Sequence, residues 1–283
     1  MSPAPMAEGR APSWRTAALA LAIGLLLLYM AGTVLQDPLH PEATAPQDRY
    51  ALLWIMNFGL GLLALLAIDR ARVLRGRERA GVALLGIGLA AWTAGNWAWV
   101  YYNYAGVDVP YPSFADVGYL TLTATAITGL LVLFLPHRRR IQGVDIAIAV
   151  ALPVTIGVLF YAFLIEGRAS LAGDALTQAL NIAYPAADMV YVALAGLMLF
   201  FTSPSWIHPS MRRVALGLLG VAAADVAFIT TVDAGAYFTG SWVDLGYILG
   251  LAAYGLAVVR FDPQPAAPVA KPAAQPLVVA VAR

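Results

Sequence analysis

The sequence of 283 residues contains no cysteine and a single lysine, Lys271. Without cysteine the chain has no disulfides, no thiolate metal ligands and no cysteine nucleophile. Because Lys271 lies in the C-terminal tail, no Schiff base can form inside a bundle of helices. The histidines, His40, His137 and His208, all fall between apolar stretches, so no pair is placed to hold a haem between two helices.

Charged residues are scarce as well, and the motifs of common enzymes are missing. Charged residues make up 12% of the chain and the apolar AVILMFWYC set makes up 61%. A soluble domain is about a quarter charged and about half apolar. No P-loop, H-E-x-x-H, G-x-S-x-G or G-x-G-x-x-G pattern occurs. We expect a membrane protein that is not an enzyme, that needs no cofactor or metal, and whose main partner is the lipid bilayer rather than nucleic acid.

Eight apolar stretches are long enough to cross a bilayer, whose hydrocarbon core needs roughly 20 residues per helix. Backbone groups in lipid must be hydrogen-bonded within their own segment, so these stretches are expected to be helices. The predicted spans are residues 16–36, 50–68, 81–104, 114–136, 145–165, 184–203, 214–232 and 242–259. We therefore predict an all-α, polytopic membrane domain over residues 16–260. It follows a short lead of residues 1–15 and precedes a Pro/Ala-rich, disordered tail of residues 261–283.

The distribution of positive charge predicts the orientation. Eight spans place fifteen of the seventeen Lys and Arg residues on one side of the membrane. They are Arg10, Arg15, Arg70, Arg72, Arg75, Arg77, Arg79, Arg138, Arg139, Arg140, Arg212, Arg213, Arg260, Lys271 and Arg283. Arg49 and Arg168 fall on the other side. Cytoplasmic loops carry such an excess, so the sequence predicts a multi-pass inner-membrane protein with both termini in the cytoplasm.

Local patterns predict finer features of the spans and loops. Pro153 is expected to kink the fifth span, and Gly246 with Gly250 forms a G-x-x-x-G that favours close helix approach within the chain. The longest outer loop, residues 166–183, is predicted to hold an interfacial helix because apolar residues recur there at helical spacing. These are Leu171, Ala175, Leu176 and Leu180. The sixth span would then begin near Pro185, a favourable first-turn residue.

A D-x-x-Y motif recurs where the fourth, sixth and eighth spans begin at the outer face, which suggests repeated helical hairpins. The pairs are Asp116 with Tyr119, Asp188 with Tyr191, and Asp244 with Tyr247. Residues three apart share one face of a helix. Ser113 and Ser241 stand three residues before Asp116 and Asp244, a spacing that also fits a capping box. Helix capping and ligand binding are therefore alternative readings of these acids.

Asp225 lies about eleven residues into the seventh predicted span, far from any cap. An ionised carboxylate at that depth costs roughly 2.5–3.5 kcal/mol on insertion scales. No Lys, Arg or His lies in the predicted spans, so Asp225 has no cationic partner there. It is expected to be protonated, hydrated, bound to a cation, or hydrogen-bonded to a neutral group such as Asn96 or a tyrosine. Both a functional and a purely structural role remain open.

Aromatic residues crowd the outer end of the third span, around Asn96 and Trp97. Such residues favour the membrane interface, but together with carboxylates they also suit a cationic or small polar ligand. The candidate ligand-binding residues are Asp188, Asp225, Asp116, Asp244, Tyr119, Tyr191, Tyr247, Asn96 and Trp97. No catalytic or metal-binding residue is predicted.

Three segments carry a resemblance to a known family. They are Pro110-Tyr-Pro-Ser-Phe-Ala-Asp116-Val-Gly-Tyr-Leu120, Tyr184-Pro-x-x-Asp188 and Gly240-Ser-x-x-Asp244. Over roughly residues 50–260 the chain resembles the multi-helix membrane sensor region that precedes GGDEF and EAL domains in bacterial, notably actinobacterial, cyclic-di-GMP signalling proteins. The resemblance implies a sensory role with an unknown ligand. The chain has neither a GGDEF nor an EAL motif, so the resemblance implies no cyclase or phosphodiesterase activity here.

The sequence thus leaves three functions open. The first is a sensory or regulatory module that detects a signal at its outer face and passes it to a cytoplasmic signalling protein on another chain. The output domain of such a module would lie on another chain, or the chain would be a shortened member of a longer family, or the module would work alone. The second is a small transporter or a proton or cation pathway that uses Asp225 and Asp188. The third is a structural subunit of a membrane complex. Acids lining a continuous cavity would favour transport, whereas a closed inner half would favour sensing.

Overall fold

The computed structural model describes residues 13–36, 46–107, 109–136, 142–160, 173–202 and 207–262. Within these ranges every regular element is helical and there is no strand, so the predicted all-α fold is confirmed for them. The helices are α1 (Ser13–Leu35), α2 (Pro46–Val73), α3 (Gly76–Tyr104), α4 (Phe114–Phe134), α5 (Gly143–Phe160), α6 (Ala175–Phe200), α7 (Pro209–Asp233) and α8 (Trp242–Val259).

Six of the described helices are long and apolar enough to cross a bilayer, which indicates a multi-pass membrane protein. They are α1, α2, α4, α6, α7 and α8. Helix α3 has 29 residues, but its charged first turn and its polar and aromatic last turns lower its hydropathy. Helix α5 contributes a shorter apolar segment, Gly143–Val158. The last residues of the predicted fifth span, 161–165, lie outside the described part of the chain.

The loop predicted over residues 69–80 is wrong, because most of it is helical. Helix α2 continues to Val73, and α3 begins at Gly76 after a link of only Leu74 and Arg75. Gly76 has φ +53°, a left-handed conformation that lets the chain reverse sharply. The prediction ended the second span before Arg70 and began the third span after Arg79. Arginine side chains reach outward along a helix to polar surroundings, so charge alone does not end the helix.

The predicted interfacial helix is also wrong for Ala175–Leu180, which form the start of α6. Asp174 caps this helix by accepting a hydrogen bond of 2.8 Å from the Thr177 amide. Pro185 consequently lies inside α6 instead of in its first turn. Proline inside a membrane helix is tolerated where neighbouring groups satisfy the freed carbonyl. Leu171 lies outside the described residues.

Consecutive helices pack as antiparallel neighbours except α4 and α5, which barely touch, and α8 lies centrally against α1, α2, α3 and α7. The starts of α1, α3, α5 and α7 therefore gather with the ends of α2, α4, α6 and α8. We call this end, which carries Arg15, Arg70, Arg212 and Arg260, the arginine end. The opposite end, which carries Asp116, Asp188, Asp225 and Asp244, is the aspartate end.

Glycines let two helix pairs approach backbone to backbone. A Cβ added to Gly118 of α4 would lie 2.7 Å from the Cα of Gly95 on α3. A Cβ added to Gly250 of α8 would lie 2.8 Å from the carbonyl oxygen of Gly217 on α7. Gly250 of the G-x-x-x-G motif therefore serves contact within the chain, while a Cβ at Gly246 would make only an ordinary 3.4 Å contact. Close helix approach of this kind is a common source of stability in membranes.

Polar contacts tie the helix termini together at the arginine end. Arg15 forms an ion pair of 2.8 Å with Asp69, which joins α1 to α2. Arg70 donates to the carbonyl oxygen of Phe261 at 2.6 Å and to the Asp262 carboxylate at 2.7 Å. These contacts fix the last turn of α2 to the residues that follow α8.

Candidate functional site

Besides Asp174 and Asp233 at helix termini, the aspartate end holds four carboxyl groups on three hairpins that contact neighbouring tyrosines or each other, and the first of them is Asp116 at the start of α4. Ser113 and Asp116 form the predicted capping box, which is confirmed. The second carboxylate oxygen of Asp116 accepts a hydrogen bond of 2.7 Å from the Tyr184 hydroxyl on α6. Nearby, the Tyr111 hydroxyl donates to Asn181 of α6 at 2.8 Å. Asp116 therefore caps its own helix and also holds α6 against α4.

Asp244 at the start of α8 is held differently from the prediction. The Ser241 hydroxyl accepts from the Val243 amide at 3.3 Å, but Asp244 accepts from the Gly240 amide at 2.6 Å and not from Ser241. The predicted capping box is thus wrong in its second half. Gly240 has φ +86°, and the turn it makes presents its N–H to the carboxylate. The other oxygen of Asp244 accepts from the Tyr237 hydroxyl at 3.1 Å.

Asp188 of α6 and Asp225 of α7 meet at the interface of their helices. Their carboxyl groups lie within hydrogen-bonding reach of each other. The Tyr247 hydroxyl of α8 donates to Oδ1 of Asp225 at 2.5 Å. Of the two neutral partners predicted for Asp225, Asn96 or a tyrosine, the structure therefore has the tyrosine. Both carboxyl groups are half-buried. Two carboxyl groups can share a hydrogen bond only when one of them carries a proton.

Asn96 and Tyr119 belong to a second polar chain on the α2–α3–α4 side. The Tyr119 hydroxyl donates to Oδ1 of Asn96 at 3.1 Å, and Nδ2 of Asn96 donates to Oδ1 of Asn57 on α2 at 2.9 Å. The Tyr119 ring lies 5.5 Å from that of Trp92. Asn96 therefore pairs with Asn57 and Tyr119 and makes no hydrogen bond with Asp225.

Trp97 points to a different neighbourhood from the acids. Its ring makes edge contacts with Trp54 at 4.7 Å and with Phe58 at 5.1 Å, both on α2. This aromatic contact stabilises the α2–α3 interface. A direct role of Trp97 in a site built on the aspartates receives no support from this geometry.

Several buried polar atoms at this end have no hydrogen-bond partner of good geometry among the described residues. They are the hydroxyl groups of Tyr29, Thr33 and Tyr191 and Nδ2 of Asn57. Tyr29 lies within electrostatic reach of Asp244, and Tyr191 within reach of Asp188 and Asp225. Buried polar atoms normally find protein or water partners. Their clustering around the carboxyl groups marks this end as a polar interior in an otherwise apolar bundle.

The charge at this end is negative and uncompensated within the described side chains. No Arg, Lys or His is among the described hydrogen-bond partners of the four carboxyl groups; the side chain of Arg49, in the first turn of α2, is outside the description. The tyrosines that lie between the helices remain neutral donors. Burial raises the pKa of Tyr111 to about 12, with a further contribution from nearby Asp116. Burial and the proximity of Asp244 raise the pKa of Tyr237 well above its usual value.

The arginine half of the bundle is filled with apolar side chains. Fully buried residues in this half are Leu63, Leu85, Leu130, Met198, Val214, Leu218, Tyr254 and Val258. The Tyr254 hydroxyl, buried in this half, donates to the Leu85 carbonyl at 2.8 Å. A cavity of about 180 Å³ lies at the arginine end beside His208 and Phe261, and a groove of about 300 Å³ runs between α3 and α4. Neither is lined by the four aspartates.

The structure brings eight of the nine predicted site residues into the polar interior and leaves Trp97 outside it. Sequence reasoning missed Asn57, Tyr184, Tyr237 and Tyr29 as members. Asn57 had a usable signal, because a lone asparagine within an apolar span needs a partner. Tyr184 was read only as part of a motif, although it lies four residues before Asp188 on the same helix.

No known protein family, curated protein or solved structure matches this chain. Its function is therefore argued from the geometry of the aspartate end.

Proposed function

We propose that this protein is an eight-span inner-membrane sensor whose aspartate end faces outward and whose two termini lie in the cytoplasm. The observation that carries the proposal is a cluster of carboxyl and phenol groups, with no cationic group among its described partners, next to an arginine half whose described interior is apolar. Such a cluster suits a small cationic ligand or protons, because these neutralise charge that the described side chains leave uncompensated. Apolar side chains fill the described interior of the arginine half, which argues against passage of that ligand through the bundle.

The same helices that hold the cluster reach the arginine end, so ligand binding has a route to the cytoplasmic surface. Asp188 and Asp225 lie on α6 and α7, whose other ends are joined by a hydrogen bond of 2.7 Å from Arg212 to the Leu199 carbonyl. A ligand shifts such a bundle only if it binds one arrangement more tightly than another. The signal would then pass to a separate cytoplasmic protein, as the resemblance to sensor regions implies.

Transport of protons or small cations is the second candidate, and the Asp188–Asp225 pair within apolar helices favours it. Intramembrane carboxyl groups often serve as carriers. The filled arginine half argues against a continuous path. The two proposals therefore differ in one measurable outcome, which is net movement of ions across the membrane.

Distance measurement between spin labels tests the sensor proposal. The absence of native cysteine allows labels at Val73→Cys on α2 and Phe200→Cys on α6, both exposed at the arginine end. In liposomes, acid, sodium or choline is added outside. A sensor predicts a changed distance distribution for at least one probe, lost in Asp225→Asn, without ion flux. Flux that depends on Asp225 would support transport instead, and an unchanged distance with every probe would contradict sensing.

A further inference from the structure

We propose that Asp188 and Asp225 together form the binding site for one exchangeable proton, and that this proton is the ligand of the sensor. The inference deepens the proposed function and rests on it for the link to signalling. The binding step itself is a property of the α6–α7 interface. It is argued from the geometry of that interface and from the groups that surround it.

The first ground is the contact between the carboxyl groups. Placed within hydrogen-bonding reach, they repel if both are ionised and attract if one proton lies between them. Tyr247 donates to Oδ1 of Asp225, and the carboxyl group has further lone pairs that can accept a proton held by Asp188. A neutral phenol donates a hydrogen bond but cancels no charge, so Tyr247 cannot take the place of the proton between the two carboxyl groups.

The second ground is Tyr191, a residue that is only 2% exposed and whose buried hydroxyl has no hydrogen-bond partner of good geometry among the described residues. Tyr191 lies one turn after Asp188 on α6 and therefore on the same face. Thr123 of α4 lies within reach; its hydroxyl donates to the Tyr119 carbonyl at 3.3 Å, and its oxygen can still accept from Tyr191. Once the shared proton leaves, the charged Asp188 becomes the stronger acceptor for the Tyr191 hydroxyl.

Among the described residues, the titratable groups around the pair include no cation. Helix α4 presents Tyr119, α6 presents Tyr191 and α8 presents Tyr247. Helix α5 packs on α6, and its described acid, Asp145, lies at the arginine end. Loss of the proton would push α6 away from α7, whereas uptake would draw the two helices together.

Infrared difference spectroscopy in nanodiscs tests the site without reference to signalling. The wild-type chain should show one protonated-carboxyl band at neutral pH that disappears on alkalinisation. Asp188→Asn and Asp225→Asn should each abolish this band, because the remaining carboxyl has lost the charge that forces its partner to hold a proton. Asp145→Asn, at the opposite end, should leave it unchanged. A band that survives in Asp188→Asn would indicate simple burial of Asp225 and would overturn the shared site.

Two further measurements decide the matter if the asparagine variants fold poorly. Tyr191→Phe should retain the band but shift its loss to higher pH, because the deprotonated pair has lost a donor. An unchanged midpoint would overturn the role given to Tyr191 and with it the proton site. Replacing choline by sodium in the buffer should leave the protonated-carboxyl band intact. Loss of the band in sodium would identify a metal-cation site instead. A confirmed band without any change in the spin-label distances would refute the sensor proposal alone.

Discussion

Tyr184 on α6 donates a hydrogen bond of 2.7 Å to Asp116 on α4, across two helices that otherwise touch only narrowly. The same carboxylate caps α4 through the Ser113 amide at 2.6 Å. One acid thus joins the start of one helix to the side of another. Because α6 also carries Asp188, this contact sets where the carboxyl pair meets.

Tyr184→Phe should loosen α6 without altering the cap of α4. The variant keeps the ring but removes a hydrogen bond to a charged group, which contributes about 1.5–3 kcal/mol. We expect a lower melting temperature in detergent and faster proteolysis around α6. Tyr101→Phe is the matched control, since the side chain of Tyr101 is 63% exposed. Equal melting temperatures for the two variants would show that the Tyr184–Asp116 bond contributes little.

Gly118→Ala should separate α3 from α4. Its Cβ would lie 2.8 Å from the Gly95 amide nitrogen, and backbone atoms cannot give way as a flexible side chain can. Overpacking of this kind costs roughly 1–3 kcal/mol. We expect reduced thermal stability in detergent and a lower yield of folded protein. In Gly196→Ala the added Cβ meets nothing within 4 Å, so this control should keep wild-type stability.

Acid should weaken the arginine end through His208, which lies just before α7. Burial lowers the pKa of His208 below its ordinary value, against smaller opposing effects of Asp262 and Glu78. Its Nδ1 accepts a hydrogen bond of 3.0 Å from the Ser210 amide, and its ring stacks 4.2 Å from Phe261. The unfolded chain therefore binds a proton more readily than the folded chain. The resulting stability is fully present above about pH 6.5, the ordinary pKa of histidine, and is lost as the pH falls from there through the lower pKa of the folded chain.

Thermal unfolding in detergent at a series of pH values measures this contribution. The wild-type melting temperature should fall between neutral and mildly acidic pH. His208→Asn keeps a side chain that can cap α7 but does not titrate, so it should show a smaller fall. An identical pH dependence in both proteins would assign the acid effect to other groups, including the carboxyl pair.

The sequence was sufficient for fold class and for the position of most helices because long apolar runs have few alternatives in lipid. It failed at helix ends, where Arg70, Arg72 and Arg77 were taken to mark loops although the helices run on through them. It also failed at Ala175–Leu180, because an amphipathic start resembles an interfacial helix. The choice between helix and loop at the arginines, and between span and interfacial helix at Ala175–Leu180, depends on whether neighbouring helices cover the segment. The local sequence does not contain that information.

The candidate site was partly predictable for a related reason. Asp188, Asp225 and the tyrosines stand out as polar residues in apolar runs. Their pairing across α6, α7 and α8 depends on helix rotation, which the Gly217–Gly250 approach fixes and which spacing along the chain does not reveal. Trp97 was included because aromatic density was read without regard to helix face.

Cysteine labelling in intact cells most directly tests the central claim that the aspartate end lies outside and the arginine end inside. Ala234→Cys, beyond α7, and Ala80→Cys, near the start of α3, are both exposed and leave every charge in place. A membrane-impermeant maleimide should label Ala234→Cys in intact cells and should label Ala80→Cys only after the membrane is opened. Labelling of Ala80→Cys in intact cells, with Ala234→Cys protected, would contradict the account.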